Sequence, residues 1–261
     1  MKIVDCFMFY NELKILKIRL AEVYDVVDHI ILVEATKTHS GKDKPLYFNE
    51  NKHLFSQYQD KIIHLITDYS EQHEFCKYIT AGNEHWYREN YQREYLKVGI
   101  NQLGLADDDI ILTTDCDEIP NGNLLKAIKL GYFPIENGRV FSLTMTLYYY
   151  TIEYTTDRTW SHPKLLNYAT YKKIPLLTQI RFCWQTYIKD AGWHLSFFGD
   201  VDFIKKKVES FAESVEYSEQ GKSLEHLQKN YDEKVLHFNG EKLLHVPLAG
   251  NTNVPKYFLN H

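Results

Sequence analysis

Three carboxylates crowd into four residues, Asp115, Asp117 and Glu118 of the stretch Thr113-Thr114-Asp115-Cys116-Asp117-Glu118-Ile119-Pro120. The apolar run Ile110-Ile111-Leu112 directly precedes them and reads as a buried strand. A buried strand that ends in acids delivers charge to the carboxyl edge of a sheet, where open α/β folds bind ligands. Two residues apart on extended chain, Asp115 and Asp117 are expected to face one side. Such a pair can hold one hard divalent cation, Mn²⁺ or Mg²⁺, and that cation can hold a diphosphate. Asp117 is the first choice for direct ligation, with Asp115 binding through water or touching a ribose. Glu118 either orients these ligands or caps the following helix. The plain alternative is a solvated acidic turn closed by Pro120.

Other chemistry-bearing residues cluster at predicted element ends. Asn11 and Glu12 follow the first apolar run, and Glu34 closes the second. Arg88 and Arg93 stand on a long predicted helix, where Arg93 either reaches the acids or diphosphate or pairs with Glu89 or Glu94. Gly192-Trp193-His194 precedes Gly199-Asp200-Val201-Asp202. An acid at a helix start gains from the helix dipole and can accept a proton, so Asp200 and then Asp202 are candidate general bases; each is equally read as an N-cap. His194 is either a metal or phosphate ligand or a packed histidine. Tyr148, Tyr149, Tyr150, Trp160 and Trp193 are candidates for a wall that stacks an acceptor.

The elements that must position these residues follow from patterning. Ile3 to Tyr10, His29 to Ala35, Lys61 to Thr67 and Ala106 to Thr114 read as strands. Asn11 is expected to cap a helix bearing Leu13, Leu16, Leu20, Val23 and Val27, and a second helix runs from about Glu84 to Leu103. The order predicts a mostly parallel central sheet flanked by helices. Further on, Arg139 to Thr151, Gln179 to Tyr187 and Gly192 to Phe198 read as strands. Asp157 to Lys173 reads as irregular, and Val201 to Phe211 and Leu224 to Tyr231 as helices. Residues 1–261 form one expected domain, with a nucleotide-binding half over about 1–120 and an acceptor half over about 121–261.

Composition narrows the class. The chain has 261 residues, 44% of them hydrophobic, enough for one α/β domain with a sizeable core. A net charge of -5 with no long basic run argues against nucleic acid as a partner. Cys6, Cys76, Cys116 and Cys183 are scattered without metal or disulfide spacing, which suits a reducing compartment. No signal-peptide layout or 18-residue apolar span is present, so the sequence predicts a soluble, cytoplasmic protein without a membrane span.

Several motifs taken together resemble glycosyltransferase family 17. They are Asp5 to Leu13, Ile18-Arg19-Leu20, Val33-Glu34-Ala35, Thr38, Gly41-Lys42 and Lys44 to Phe48. Arg88-Glu89-Asn90, Gln92-Arg93, Asp115 to Pro120, Trp160, Arg181 and Ala191 to Phe197 continue the likeness, which covers roughly residues 3 to 200. The resemblance implies a GT-A-type nucleotide-sugar-binding fold. It also implies metal-dependent inverting transfer of a sugar, N-acetylglucosamine in the family's known activity, from a UDP-sugar donor to a glycan acceptor. On that reading Asn11, Glu12, Glu34, Arg93, Asp115 and His194 meet the nucleotide sugar, Asp115 and Asp117 the metal, and Tyr149, Trp160 and Trp193 the acceptor. The lysines of the 36–44 loop are candidates for phosphate contact. Two alternatives stand beside it. His237-Phe238-Asn239-Gly240-Glu241-Lys242 fits an H-x-x-G-x-K pattern of retaining glycosyltransferases. A catalytically inactive glycan-binding module is the other.

Overall fold

The computed structural model describes residues 1–184 and 186–259. Two sheets carry the strands. The first has seven strands in the order β10-β6-β9-β4-β1-β2-β3. Its parallel block comprises β1 (Ile3–Phe9), β2 (His29–Ala35), β3 (Ile62–Thr67) and β4 (Ile110–Asp115). The second has five strands in the order β12-β8-β7-β11-β5. It opens with β5 (Glu118–Pro120), two residues after β4 ends.

Alternation along β1 divides the core. Ile3, Phe7 and Phe9 face one side, covered by α1 (Leu13–Val23) through Ile15, Leu16 and Leu20. Val4 and Cys6 face the other. Past α2 (Tyr47–Asn51), that side is covered by α3 (Glu84–Asn101) through Tyr91, Tyr95, Leu96 and Ile100. Both faces are therefore buried, as a parallel block requires. After β5 comes α4 (Gly122–Lys129), whose side-chain cap is Asn121, accepting from the Asn123 amide at 2.9 Å.

The second half departs from the reading of its sequence. Arg139 to Thr151 divides into β6 (Phe141–Leu143) and β7 (Met145–Tyr149), which enter different sheets. The stretch read as irregular instead forms β8 (Thr151–Trp160), β9 (Lys164–Asn167) and α5 (Tyr168–Tyr171). Gln179 to Tyr187 is not one strand: α6 (Leu177–Arg181) precedes β10 (Thr186–Ile188). Leu177 and Ile180 bury against the α3 side, and Glu94 caps the helix by accepting from the Leu177 and Thr178 amides at 2.9 and 2.8 Å. That cap comes from a distant helix, so local patterning could not register it. The remaining elements are β11 (Gly192–Ser196), α7 (Val201–Ser210), α8 (Leu224–Glu233), β12 (Leu244–His245) and α9 (Lys256–Leu259).

Strand β9 lies antiparallel between β4 and β6. The seven-stranded sheet thus takes strands from both sides of residue 120, so the expected division into halves does not follow sheet boundaries. Strand β11 pairs antiparallel with β5, His194 opposite Glu118, and parallel with β7. Gly192 permits this approach. Its φ is +148°, and a Cβ there would lie 2.1 Å from the Ile119 carbonyl oxygen. The β5–β11 seam sets the acids of the first sheet beside α7.

Candidate active site

The acids do not share a face. Strand β4 stops at Asp115, and Cys116-Asp117 turn the chain into β5, so the period-two expectation lapses at the turn. Arg19 fixes this turn. Fully buried on α1, it forms an ion pair with Asp5 and donates to Thr114 Oγ1. It also donates to the carbonyls of Asp115, Cys116 and Glu118 at 3.0, 3.2 and 2.7 Å. One guanidinium satisfies three turn carbonyls that the sheets leave unpaired.

Asp115 points to the α3 side. Its Oδ1 accepts from Arg93 at 2.7 Å and its Oδ2 from Arg181 at 2.7 Å. Arg93 also pairs with Glu89 at 3.2 Å, and Arg181 with Glu118 at 3.0 Å. Glu118 further accepts from the Asp115 amide and the Trp160 indole, each at 2.6 Å. Glu118 therefore orients the turn and does not cap α4. Burial works to raise the Asp115 carboxyl, but Arg181 and Arg93 outweigh it and hold it well below the usual carboxylate range. Each Asp115 oxygen is thus already on a guanidinium, and in this packing the carboxylate serves as the joint between Arg93 and Arg181.

Asp117 points elsewhere. Its Oδ2 accepts from Lys207 of α7 at 2.6 Å and lies 3.5 Å from His194 Nε2. Lys207 also lies 3.5 Å from Glu12 Oε1. Burial would raise the Asp117 carboxyl, yet Lys207 and His194 hold it far below the ordinary aspartate value. Burial lifts the Glu12 carboxyl, and Lys207 offsets only part of that rise. His194 packs against Trp160 with ring centroids 4.6 Å apart and planes tilted by 40°, and its Nδ1 is buried without a hydrogen-bond partner.

Five carboxylates (Glu12, Glu89, Asp115, Asp117 and Glu118) meet three fixed cations (Arg93, Arg181 and Lys207). Fully ionised, that cluster keeps an excess of two negative charges. Among the described residues no group of three or more His, Cys, Asp or Glu is arranged to enclose a metal. What remains is a buried pair, Asp117 with His194 Nε2, beside an ammonium that already occupies a cation position. The pair fits a divalent ion whose other ligands come from water or a bound phosphate.

The other predicted residues divide between site and scaffold. Glu34 is fully buried and accepts from the Phe48 and Asn49 amides at 2.9 and 3.3 Å. It anchors α2 through both oxygens and lies 3.2 Å from His64 Nε2. Lys44, beside it, is pushed down to about 8 by burial, against the pull of Glu34. Asn11 does not cap α1 with its side chain: Glu12 holds the cap position, and Asn11 Oδ1 is buried without a partner. Trp193 lies in the core with its indole N–H on Asn253, and so cannot stack an acceptor in this packing. Tyr149 is likewise buried, its hydroxyl on His237 Nδ1 at 2.5 Å. Tyr217 engages the other ring nitrogen at 3.2 Å, and burial drives the His237 imidazole down to about 4. The H-x-x-G-x-K histidine is thus spent on two tyrosines.

Asp200 caps α7 by accepting from the Phe203 amide at 2.8 Å and stays exposed. It lines a cavity of about 450 Å³ together with Asn11, Glu12, Tyr150 and Phe198. Asp202 is exposed in the first turn and does not line that cavity. Glu12 connects the cavity to Lys207 and Asp117.

The sequence profile of glycosyltransferase family 17 matches residues 1–231. The chain belongs to glycosyltransferase family 17. Among solved structures, apo mouse xyloside xylosyltransferase 1 is similar at 12% identity, over 69% of this chain and 71% of that one, with a TM-score of 0.33. A likeness that slight carries no argument here. No curated protein matches the chain. This family 17 glycosyltransferase has no helix among its described residues long and apolar enough to cross a membrane. Three of its site residues escaped sequence reasoning. Arg19 and Arg181 stood only inside motifs, and Lys207 gave no signal within the run Lys205-Lys206-Lys207. The one available cue was the apolar stripe Val201, Ile204 and Val208, which turns only one edge of α7 toward the sheets.

Proposed function

We propose that the chain transfers a sugar, N-acetylglucosamine, from UDP to a glycan hydroxyl with inversion and with the help of Mn²⁺ or Mg²⁺. The observation that carries this reading is the Asp117–His194 pair at the β4–β5 turn, in a cluster with surplus negative charge. A diphosphate is anionic, so its approach to such a cluster calls for added positive charge. Asp117 and His194 would hold the metal, which when bound would offset charge growing on the leaving diphosphate. Arg19 keeps the turn rigid, and Arg93 and Arg181 keep Asp115 ionised and fixed. Asp200 is the proposed general base. Its carboxylate is exposed at the N-terminus of α7, on the cavity that Glu12 joins to Lys207 and Asp117. It would take the acceptor hydroxyl proton as the glycosidic bond forms.

Titration calorimetry with UDP, UDP-N-acetylglucosamine and GDP, with Mn²⁺ and with EDTA, tests the donor and the metal. UDP is expected to bind in EDTA and more tightly with Mn²⁺; preference for GDP would refute the donor assignment. Asp200→Asn should keep donor binding and lose ~10²-fold or more in kcat. NMR of the product should give a β linkage, and an α linkage would remove the inverting mechanism.

A further inference from the structure

Three cations serve the acid cluster, and they are not equivalent. Arg93 is held by Asp115 at 2.7 Å and Glu89 at 3.2 Å. Arg181 is held by Asp115 at 2.7 Å and by both oxygens of Glu118. Releasing either guanidinium takes a partner from two carboxylates at once, the buried Glu118 among them for Arg181. Lys207 makes one short contact, to Asp117, and its second, to Glu12, is long at 3.5 Å. An ammonium has three donors, so Lys207 retains hydrogen-bonding capacity toward an incoming anion. Its neighbours do not share this position: Lys205 pairs with Glu209, and Lys206 is exposed. The Lys207 ammonium also lies 5.4 Å from the centre of the Phe197 ring, which walls it toward the acids. Burial would lower its pKa, but Asp117 and Glu12 raise it well above the ordinary lysine value, so it stays charged at any working pH.

We propose that Lys207 is a donor-binding residue that rests on Asp117 before donor binds and moves its charge onto the diphosphate when donor arrives. The proposal rests on the nucleotide-sugar reading above and adds a residue that nothing in the sequence singled out. Lys207 and a divalent ion compete for Asp117, while Lys207 and a diphosphate attract. Lysine therefore strengthens phosphate binding and weakens metal binding in the absence of phosphate. A role limited to holding α7 in place would give losses of the same sign in both.

The test compares wild type, Lys207→Gln and Lys207→Arg. Calorimetry in EDTA measures pyrophosphate and UDP; electron paramagnetic resonance of free Mn²⁺ measures metal binding without nucleotide. Thermal unfolding checks that each variant is folded. Lys207→Gln should bind pyrophosphate and UDP roughly ten-fold more weakly, the scale of one charge-assisted hydrogen bond. It should bind Mn²⁺ several-fold more tightly, and Lys207→Arg should restore much of the anion affinity. Equal anion affinity in wild type and Lys207→Gln would overturn the proposal and leave the transferase reading intact. Parallel losses of anion and Mn²⁺ affinity would also overturn it, in favour of a structural role. Failure of wild type to bind either anion, in EDTA or with Mn²⁺, would remove the nucleotide-sugar reading and the Lys207 role together.

Discussion

Asp115 and Asp117 are separated by one residue and sit in opposite kinds of surroundings. Asp115 is clamped by two guanidiniums, each anchored by a second carboxylate. Asp117 meets one flexible ammonium and one imidazole. The first arrangement is rigid because each guanidinium bridges two carboxylates, and disturbing it leaves an unpaired charge. The second can exchange partners, since a lysine on a four-carbon stem can swing where a forked arginine cannot. Within one acidic motif, one carboxylate holds the architecture and its neighbour is available for chemistry.

The strongest way to break this contrast is to remove each acid's function in turn. Asp117→Asn should reduce transfer by ~10³-fold or more, since metal-assisted charge stabilisation is worth several kcal/mol. Its melting temperature should change little, because Lys207 keeps Glu12 as a neighbour. Steady-state kinetics beside calorimetry reads both; near-normal turnover would remove Asp117 from the metal site.

Arg181→Ala should act in the reverse sense, through stability. It leaves Asp115 and Glu118 short of a buried partner and should cost about 3–5 kcal/mol. Urea unfolding measures it. The loss should depend on pH with a definite sign. Asp115 is held below its unfolded value, so the stability it contributes is present above pH ~4 and fades as pH falls through the folded value. Wild type should therefore lose more stability than Arg181→Ala between pH 6 and pH 3. Parallel curves would mean that the clamp is not what depresses Asp115.

Glu213 sharpens the comparison from the other direction. Burial, then Glu89, raises its carboxyl to about 7. A folded value above the unfolded one means the fold favours the protonated acid, and ionisation lowers stability as pH rises from about 4.5 through 7. Glu213→Gln should match wild type at pH 4 and exceed it at pH 8, by about 1–2 kcal/mol after allowance for partial exposure. No difference at pH 8 would mean that the surplus negative charge does not extend to Glu213.

The smallest expected effect on turnover belongs to His237→Phe. With both ring nitrogens on tyrosine hydroxyls, its loss should cost about 1–2 kcal/mol of stability and leave kcat within about three-fold. A hundred-fold fall would reopen the retaining mechanism.

The sequence by itself determined the parallel block and the acidic motif. Apolar runs such as His29–Ala35 can only be strands buried on both faces, and the acids after Ile110-Ile111-Leu112 had to lie at a sheet edge. It also carried family membership, through motifs spread along most of the chain. It did not determine the second sheet, because β5, β7 and β11 are short and each depends on partners far away in the chain. Nor did it show that Asp115 and Asp117 turn to different sides. Local spacing puts them on one side, while the turn fixed by Arg19 sends one toward α3 and the other toward α7. Only the tertiary structure chose Lys207 out of three consecutive lysines. The electrostatic environment of a buried acid is set by which cations the fold brings within a few ångströms, and those cations come from residues up to 195 positions away.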